Sequence, residues 1–279
     1  MNEIVVDAHQ HFWDLTRLEY SWMSPDLKAL LRNYLPAELK PLLDAAGVKR
    51  TVIVQAHQSL DEARWLLELA EVNDFVAGVV AWADLAGSSL GRDLDELQRH
   101  EKFKGVRHQI HDEPDEAWML RPDVIAGLQE LERRDIPYDL LLRPQHLKYV
   151  PELRDKCPRL KLVIDHIAKP LIVSGKMDGW AQDIEQVSKL PNLWCKLSGM
   201  ITEADWNTWT PQSLKPYVVH VVRCFGSDRV MFGSDWPVCN LAGSYQRVVD
   251  ALCNALGTLT PEDRAKVWGR NAREFYALD

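Results

Sequence analysis

Two histidines separated by one residue close the first apolar run of this chain, Val5-Val6-Asp7-Ala8-His9-Gln10-His11. Side chains at i and i+2 leave the same face of a β-strand. A strand end here therefore carries both imidazoles to one place. Imidazole is a common metal ligand and a general base that works near neutral pH. Far downstream, Arg229-Val230-Met231-Phe232-Gly233-Ser234-Asp235-Trp236-Pro237 delivers a carboxylate the same way, at the end of another apolar run. An early His-x-His and a late strand-end Asp are groups that activate water, and together they point to a hydrolase.

Something must bring residues more than 200 positions apart together. The chain alternates short apolar runs with amphipathic stretches. The runs are Ile4–Ala8, Arg50–Gln55, Phe75–Ala81, Phe103–Arg107, Ile136–Leu141, Leu160–Asp165, Leu193–Leu197 and Arg229–Gly233. They are rich in Val, Ile and Leu without strict alternation, as strands buried on both faces are. Between them lie helical patterns, from Pro36–Ala46, which stops at Gly47, to Ser244–Leu256, and Pro261–Tyr276 adds a C-terminal helix. Eight strand–helix repeats predict a (β/α)8 TIM barrel with an extra C-terminal helix, one domain over residues 1–279. An open doubly wound sheet is the competitor, but no Gly-rich phosphate loop follows the first strand. The longer loops, 12–35, 167–176 and 198–210, follow strands one, six and seven, at the face where barrel active sites lie.

That architecture turns scattered polar residues into a list. Strand ends present His9 and His11, Gln55 with His57, Trp82 and Asp84, Arg107 with His108, Arg143, His166 and Lys169, Lys196 and Ser198, and Asp235. Each also has a plainer reading. Gly233-Ser234-Asp235 is a good turn sequence. His166 suits a hydrogen-bonded core histidine, Arg107, Arg143 and Lys196 suit ion pairs with barrel carboxylates, and Lys169 suits a loop position before Pro170. His57 and His108 are weaker candidates, and His100, His146 and His220 read as structural or exposed. The Asp112–Glu116 run reads as a solvated loop.

Composition narrows the partners. The net charge of −8 argues against nucleic acid and anionic membrane. No apolar stretch approaches the roughly 20 residues of a membrane span, and the start of the chain does not read as a signal peptide. The five cysteines, an odd number with no CxxC, read as free thiols in a reducing cytoplasm. Eleven tryptophans are many for 279 residues, enough to pack helices and also line a pocket.

Four segments in order carry a resemblance: Asp7-Ala8-His9-Gln10-His11-Phe12-Trp13, Gly105-Val106-Arg107-His108, Asp165-His166-Ile167-Ala168-Lys169-Pro170 and Gly233-Ser234-Asp235-Trp236-Pro237. The chain resembles the amidohydrolase superfamily, and within it the amidohydrolase-related lactonases, over roughly residues 4 to 276. The stretch from Gly105 to Pro122 is most similar to the sugar-lactone members. The resemblance implies that Asp235 is the general base and that His166 binds or polarises the carbonyl. It implies that His9 and His11 hold a metal or contact substrate and water, with His9, His11 and Asp235 as the candidate ligand set. Arg107, Arg143 and Lys169 would contact substrate oxygens. Two departures weaken a metal site. The fifth run, Tyr138 to Arg143, offers no histidine, and the fourth offers Arg107 where binuclear members bridge with Lys or Glu.

The expectation is a hydrolase of a sugar-derived lactone, such as L-fucono-, L-galactono- or L-rhamnonolactone. It needs no cofactor, or holds a single weakly bound divalent metal such as zinc. Two alternatives stand beside it: a hydrolase or decarboxylase acting on an anionic ring acid such as a pyrone dicarboxylate or muconolactone, and a non-catalytic binding barrel.

Overall fold

Each of the eight apolar runs is a strand in the computed structural model, which describes residues 4–279. The strands are β1 (Val6–Gln10), β2 (Arg50–Val54), β3 (Val76–Ala81), β4 (Phe103–His108), β5 (Tyr138–Leu140), β6 (Leu162–Ile164), β7 (Leu193–Leu197) and β8 (Val230–Phe232). Each pairs in parallel with the next in chain order. The ring closes just past the strand ends. His11 N–H donates to the Trp236 carbonyl at 2.7 Å and Asp235 N–H to the His9 carbonyl at 2.8 Å. This is the (β/α)8 barrel.

Local chemistry sets the helices that follow the strands. α1 (Pro36–Ala46) opens on a proline that needs no partner for a backbone N–H, and it ends where Gly47 turns left-handed at φ +72°. α2 (Leu60–Glu71) is capped by Ser59, whose side chain accepts from Asp61 N–H. α3 (Leu90–Leu97), α4 (Pro122–Arg133), α5 (Val150–Lys156), α6 (Trp180–Val187), α7 (Pro211–Phe225) and α8 (Tyr245–Leu256) complete the outer ring. A 3₁₀ segment, Pro144–Tyr149, leads into α5.

Two apolar sets pack apart. The larger lies between the helices and the sheet. The smaller joins Val6, Val52, Val54, Val80 and Met231 to Phe275, Tyr276 and Leu278, so the end of the chain plugs one end of the barrel. The expected C-terminal helix is present over Pro261–Phe275 and carries a π segment in its middle. α9 (Pro261–Ala265) passes through a π segment, Lys266–Arg270, before α10 (Asn271–Phe275). Glycine is required within that segment: a Cβ on Gly269 would stand 2.1 Å from the Ile4 carbonyl oxygen. Among the described residues, no helix is long and apolar enough to cross a membrane, and all five cysteines are free thiols.

Candidate active site

His9 and His11 converge as their spacing predicts, but not through a regular strand. β1 ends at Gln10, and its register against β2 shifts between Asp7 and Gln10. Asp7 anchors that irregular stretch. Its Oδ1 accepts from the backbone N–H of His9 (3.1 Å) and of Ser234 (2.9 Å), and its Oδ2 accepts from the Tyr245 hydroxyl (3.0 Å). Burial outweighs these bonds and pushes the Asp7 carboxyl up to about 6. One side chain thus ties the first strand to the loop carrying Asp235. The two imidazole Nε2 atoms stand 3.2 Å apart, and Asp235 Oδ1 is 3.3 Å from His11 Nε2 and 3.8 Å from His9 Nε2.

His166 reaches the same point by a costlier route. His166, Ile167, Ala168 and Lys169 all have positive φ, between 49° and 60°. Left-handed backbone costs roughly 1–2 kcal/mol per residue, and a β-branched residue such as Ile167 is a poor occupant. The tertiary structure holds this turn by fixed contacts. Trp180 Nε1–H donates to the Ile167 carbonyl at 2.8 Å, and Gly199, at φ +60°, leaves room for the His166 ring. Nothing in Asp165-His166-Ile167-Ala168-Lys169 signals a left-handed turn, because none of those residues is glycine or asparagine. The turn sets His166 Nε2 3.8 Å from Asp235 Oδ1, with Nδ1 2.9 Å from Ser198 Oγ.

Behind the histidines lies a fully buried ionic network. Lys196 Nζ meets Asp139 Oδ2 at 2.5 Å, Asp165 Oδ1 at 3.0 Å and His9 Nδ1 at 3.1 Å. Arg107 Nη1 donates to Asp165 Oδ2 at 3.0 Å, and its Nη2 donates to the Gln55 carbonyl. Burial pushes Asp139 up to about 6 despite Lys196. Asp165 is held well below the ordinary carboxylate range: burial opposes this, but Lys196, His9 and Arg107 together prevail. Asp139 and Asp165 were not singled out as site residues from the sequence. A signal existed: a charge inside a buried strand, as in Tyr138-Asp139-Leu140 or Cys195-Lys196-Leu197, demands a partner of opposite sign.

His11, His166 and Asp235 line a cavity of about 220 Å³, with His9 buried behind them. Burial lowers the acidity range of the His9, His11 and His166 rings, so they are neutral at neutral pH. Asp235 is lowered as well; burial raises it, but His166, His11 and Lys169 together win, and it is ionised. Arg107 and Lys169 line the cavity as expected, and Lys169 Nζ lies 3.3 Å from a carboxylate oxygen of Glu203. Arg143 is exposed and is not brought into the lining. Trp22, Gln109, His111 and Asp112 line it without having been singled out as site residues. They lie on loops, where no periodicity marks direction. The Asp112–Glu116 run is not simply solvated. Glu113 Oε1 lies 2.6 Å from His108 Nε2, and the His108 ring stacks 3.9 Å from Trp118, which pins the loop carrying His111.

The set His9, His11 and Asp235 fits one divalent cation. Ligand bonds of about 2.0–2.2 Å in a tetrahedral site imply ligand atoms roughly 3.3–3.6 Å apart, and the observed separations are 3.2, 3.3 and 3.8 Å. His11 Nδ1 lies 2.7 Å from the Val54 carbonyl, so it carries the proton and Nε2 keeps its lone pair. A second grouping, His9, Asp165 and His166, shares His9, and its carboxylate is already matched by Lys196 and Arg107.

The chain is similar to known proteins along nearly its whole length. The chain is 38% identical to an L-fucono-1,5-lactonase of Burkholderia ambifaria, over 98% of this chain and 96% of that one. It is 36% identical to an L-fucono-1,5-lactonase of Burkholderia multivorans, over 100% and 97%. Crystal structures of an amidohydrolase from Burkholderia multivorans, one with bound zinc and one with bound HEPES, superpose with a TM-score of 0.94 at 35% identity, over 99% of this chain and 100% of that one. The profile of the amidohydrolase family matches residues 6–278, from the first strand to the barrel plug. With its histidine pair, sixth-strand histidine and eighth-strand aspartate gathered in one barrel mouth, the chain belongs to the amidohydrolase family.

Proposed function

We propose that this protein hydrolyses a sugar-derived lactone, an aldonolactone of the L-fucono-, L-galactono- or L-rhamnono- type, to the open-chain acid. One observation carries the reading. The cavity holds an ionised carboxylate, Asp235, among neutral imidazoles, while both basic side chains lining it are already matched by carboxylates: Arg107 by Asp165 and Lys169 by Glu203. Such a cavity suits an uncharged, hydroxyl-rich ring. A dicarboxylate would have to break those pairs or be held without a free cation. The two Burkholderia relatives, both L-fucono-1,5-lactonases, support the same substrate class.

A lactone carbonyl needs an activated water, stabilisation of the developing oxyanion and a proton for the leaving oxygen. Asp235 takes a proton from water as the water oxygen bonds to the carbonyl carbon. With Ser198 Oγ donating to Nδ1, His166 carries its proton on Nε2, on the side of Asp235, where it stabilises the oxyanion. When the ring C–O bond breaks, Asp235 returns its proton to the departing alkoxide. A divalent metal held by His9, His11 and Asp235 would supply Lewis-acid polarisation. In this reading it binds weakly and turnover survives its removal.

The test is a panel of sugar lactones with a pH indicator reporting released acid, before and after chelation. Acid release from the aldonolactones, reduced no more than a few-fold by chelation, is expected. Amidase or decarboxylase turnover without lactone opening overturns the reading, and activity on pyrone dicarboxylates alone favours the anionic-ring alternative. About one zinc per chain, with activity abolished by chelation and restored by zinc, overturns the part about the metal.

A further inference from the structure

His9 stands between two alternative sets of contacts. Its Nδ1 meets a donor, Lys196 Nζ at 3.1 Å, and an acceptor, Asp165 Oδ1 at 3.3 Å. Its Nε2 meets an acceptor, His11 Nε2 at 3.2 Å, and a donor, Arg107 Nη1 at 3.3 Å. A neutral imidazole carries one proton, so only one pattern holds at a time. With the proton on Nε2, His9 accepts from Lys196 and donates to His11. With the proton on Nδ1, it donates to Asp165 and accepts from Arg107. Only the second leaves Nε2 with the lone pair a metal needs.

We propose that Lys196 is a positioning residue that sets His9 in the Nε2–H tautomer and so keeps the His9, His11 and Asp235 triangle from holding a divalent metal tightly. Three facts favour this pattern. Lys196 is fully buried and hydrogen-bonds Asp139 Oδ2 and His9 Nδ1, with Asp165 Oδ1 at an ion-pair distance of 3.0 Å. An ammonium cannot accept, so a proton on His9 Nδ1 would leave one Nζ–H facing another donor with no water to take it. The contact of His9 Nδ1 with Lys196 Nζ is an aligned hydrogen bond, whereas its 3.3 Å contact with Asp165 Oδ1 is an ion-pair distance only, and that oxygen accepts no hydrogen bond. The Nε2–H pattern also gives His11 Nε2 a donor, since His11 Nδ1 is spent on the Val54 carbonyl. Lys196 thus acts through His9, not on the reacting atoms.

The inference concerns the site assigned above to lactone hydrolysis, but its test does not read activity. Long-range ¹H–¹⁵N correlation on metal-free wild-type protein labelled in histidine reports each ring's protonated nitrogen. His9 is expected with Nε2 protonated and Nδ1 bare, and a protonated Nδ1 overturns the proposal. Zinc affinity is then measured by competition with a chromogenic chelator. Removing Lys196 alone strands two buried carboxylates, so the variant is Lys196→Met with Asp139→Asn, where Tyr276 still donates to position 139. This double variant is expected to bind zinc at least about tenfold more tightly than wild type, which is about 1.4 kcal/mol. Asp139→Asn alone, which keeps Lys196, should stay within a few-fold of wild type. Equal or weaker zinc binding by the folded double variant overturns the proposal. If that variant does not fold, the wild-type spectrum decides alone.

Discussion

Tyr276 reaches from the last residues of the chain into the barrel and sets its hydroxyl 2.8 Å from both carboxylate oxygens of Asp139. Asp139 in turn grips Lys196, and Lys196 touches His9. The plug at one end of the barrel and the site at the other are therefore joined through a buried polar column. Tyr276→Phe removes one hydrogen bond to a buried carboxylate, which typically costs about 1.5–3 kcal/mol. The expected outcome is a lower denaturant midpoint with an unchanged slope, and an unchanged midpoint would show that Asp139 is satisfied without Tyr276.

Gly199 faces His166. A Cβ there would lie 2.4 Å from His166 Nδ1, on a backbone already at φ +60°. Gly199→Ala should push the ring off its bond to Ser198. Misplacing a reacting group by about 1 Å costs on the order of 10²-fold in rate. Lactonase kinetics on a variant with wild-type circular dichroism make the check, and a kcat within a few-fold of wild type removes His166 from the chemistry.

Asp235→Asn keeps the shape of the side chain and deletes the proton acceptor. Loss of a general base typically costs about 10²–10⁴-fold, expected here in kcat more than in KM. Steady-state kinetics on the folded variant decide this. A kcat close to wild type would reduce Asp235 to a turn residue.

Glu62 lies outside the site and carries the clearest pH signature. It is fully buried, and burial pushes its carboxyl up to about 8 although Oε2 accepts from the backbone N–H of His57 (2.9 Å) and of Ala56 (3.0 Å). Its ordinary value is 4.5. Between those two values the folded chain binds more protons at this site than the unfolded chain, so stability falls as pH rises through the window. The loss is on the order of a few kcal/mol. Glu62→Gln keeps an acceptor for both N–H groups and cannot ionise. It should be more stable than wild type at pH 9, with the gap closing toward pH 5. A gap that does not change with pH would assign the effect to packing.

The sequence by itself determined the barrel. Eight Val-, Ile- and Leu-rich runs at even spacing leave a parallel ring as the natural way to bury strands on both faces, and a Pro at a first turn or a Gly after a last one marks helix ends locally. It also placed His9, His11, His166 and Asp235 at or just past strand ends, and so at one mouth of the barrel, but not the directions in which they point. What only the tertiary structure decided is everything that depends on partners far away in the chain. Lys196 meets Asp139 across 57 residues, Tyr276 meets Asp139 across 137, and Lys196 meets His9 across 187. Whether a basic residue such as Arg107 or Lys169 faces substrate or is spent on a carboxylate is fixed by such contacts. So is the left-handed turn at His166, whose residues favour no such backbone and which is held by Trp180 and Gly199. Local sequence sets propensity, whereas the matching of buried charges is a property of the closed barrel, because only there is water absent and a partner required.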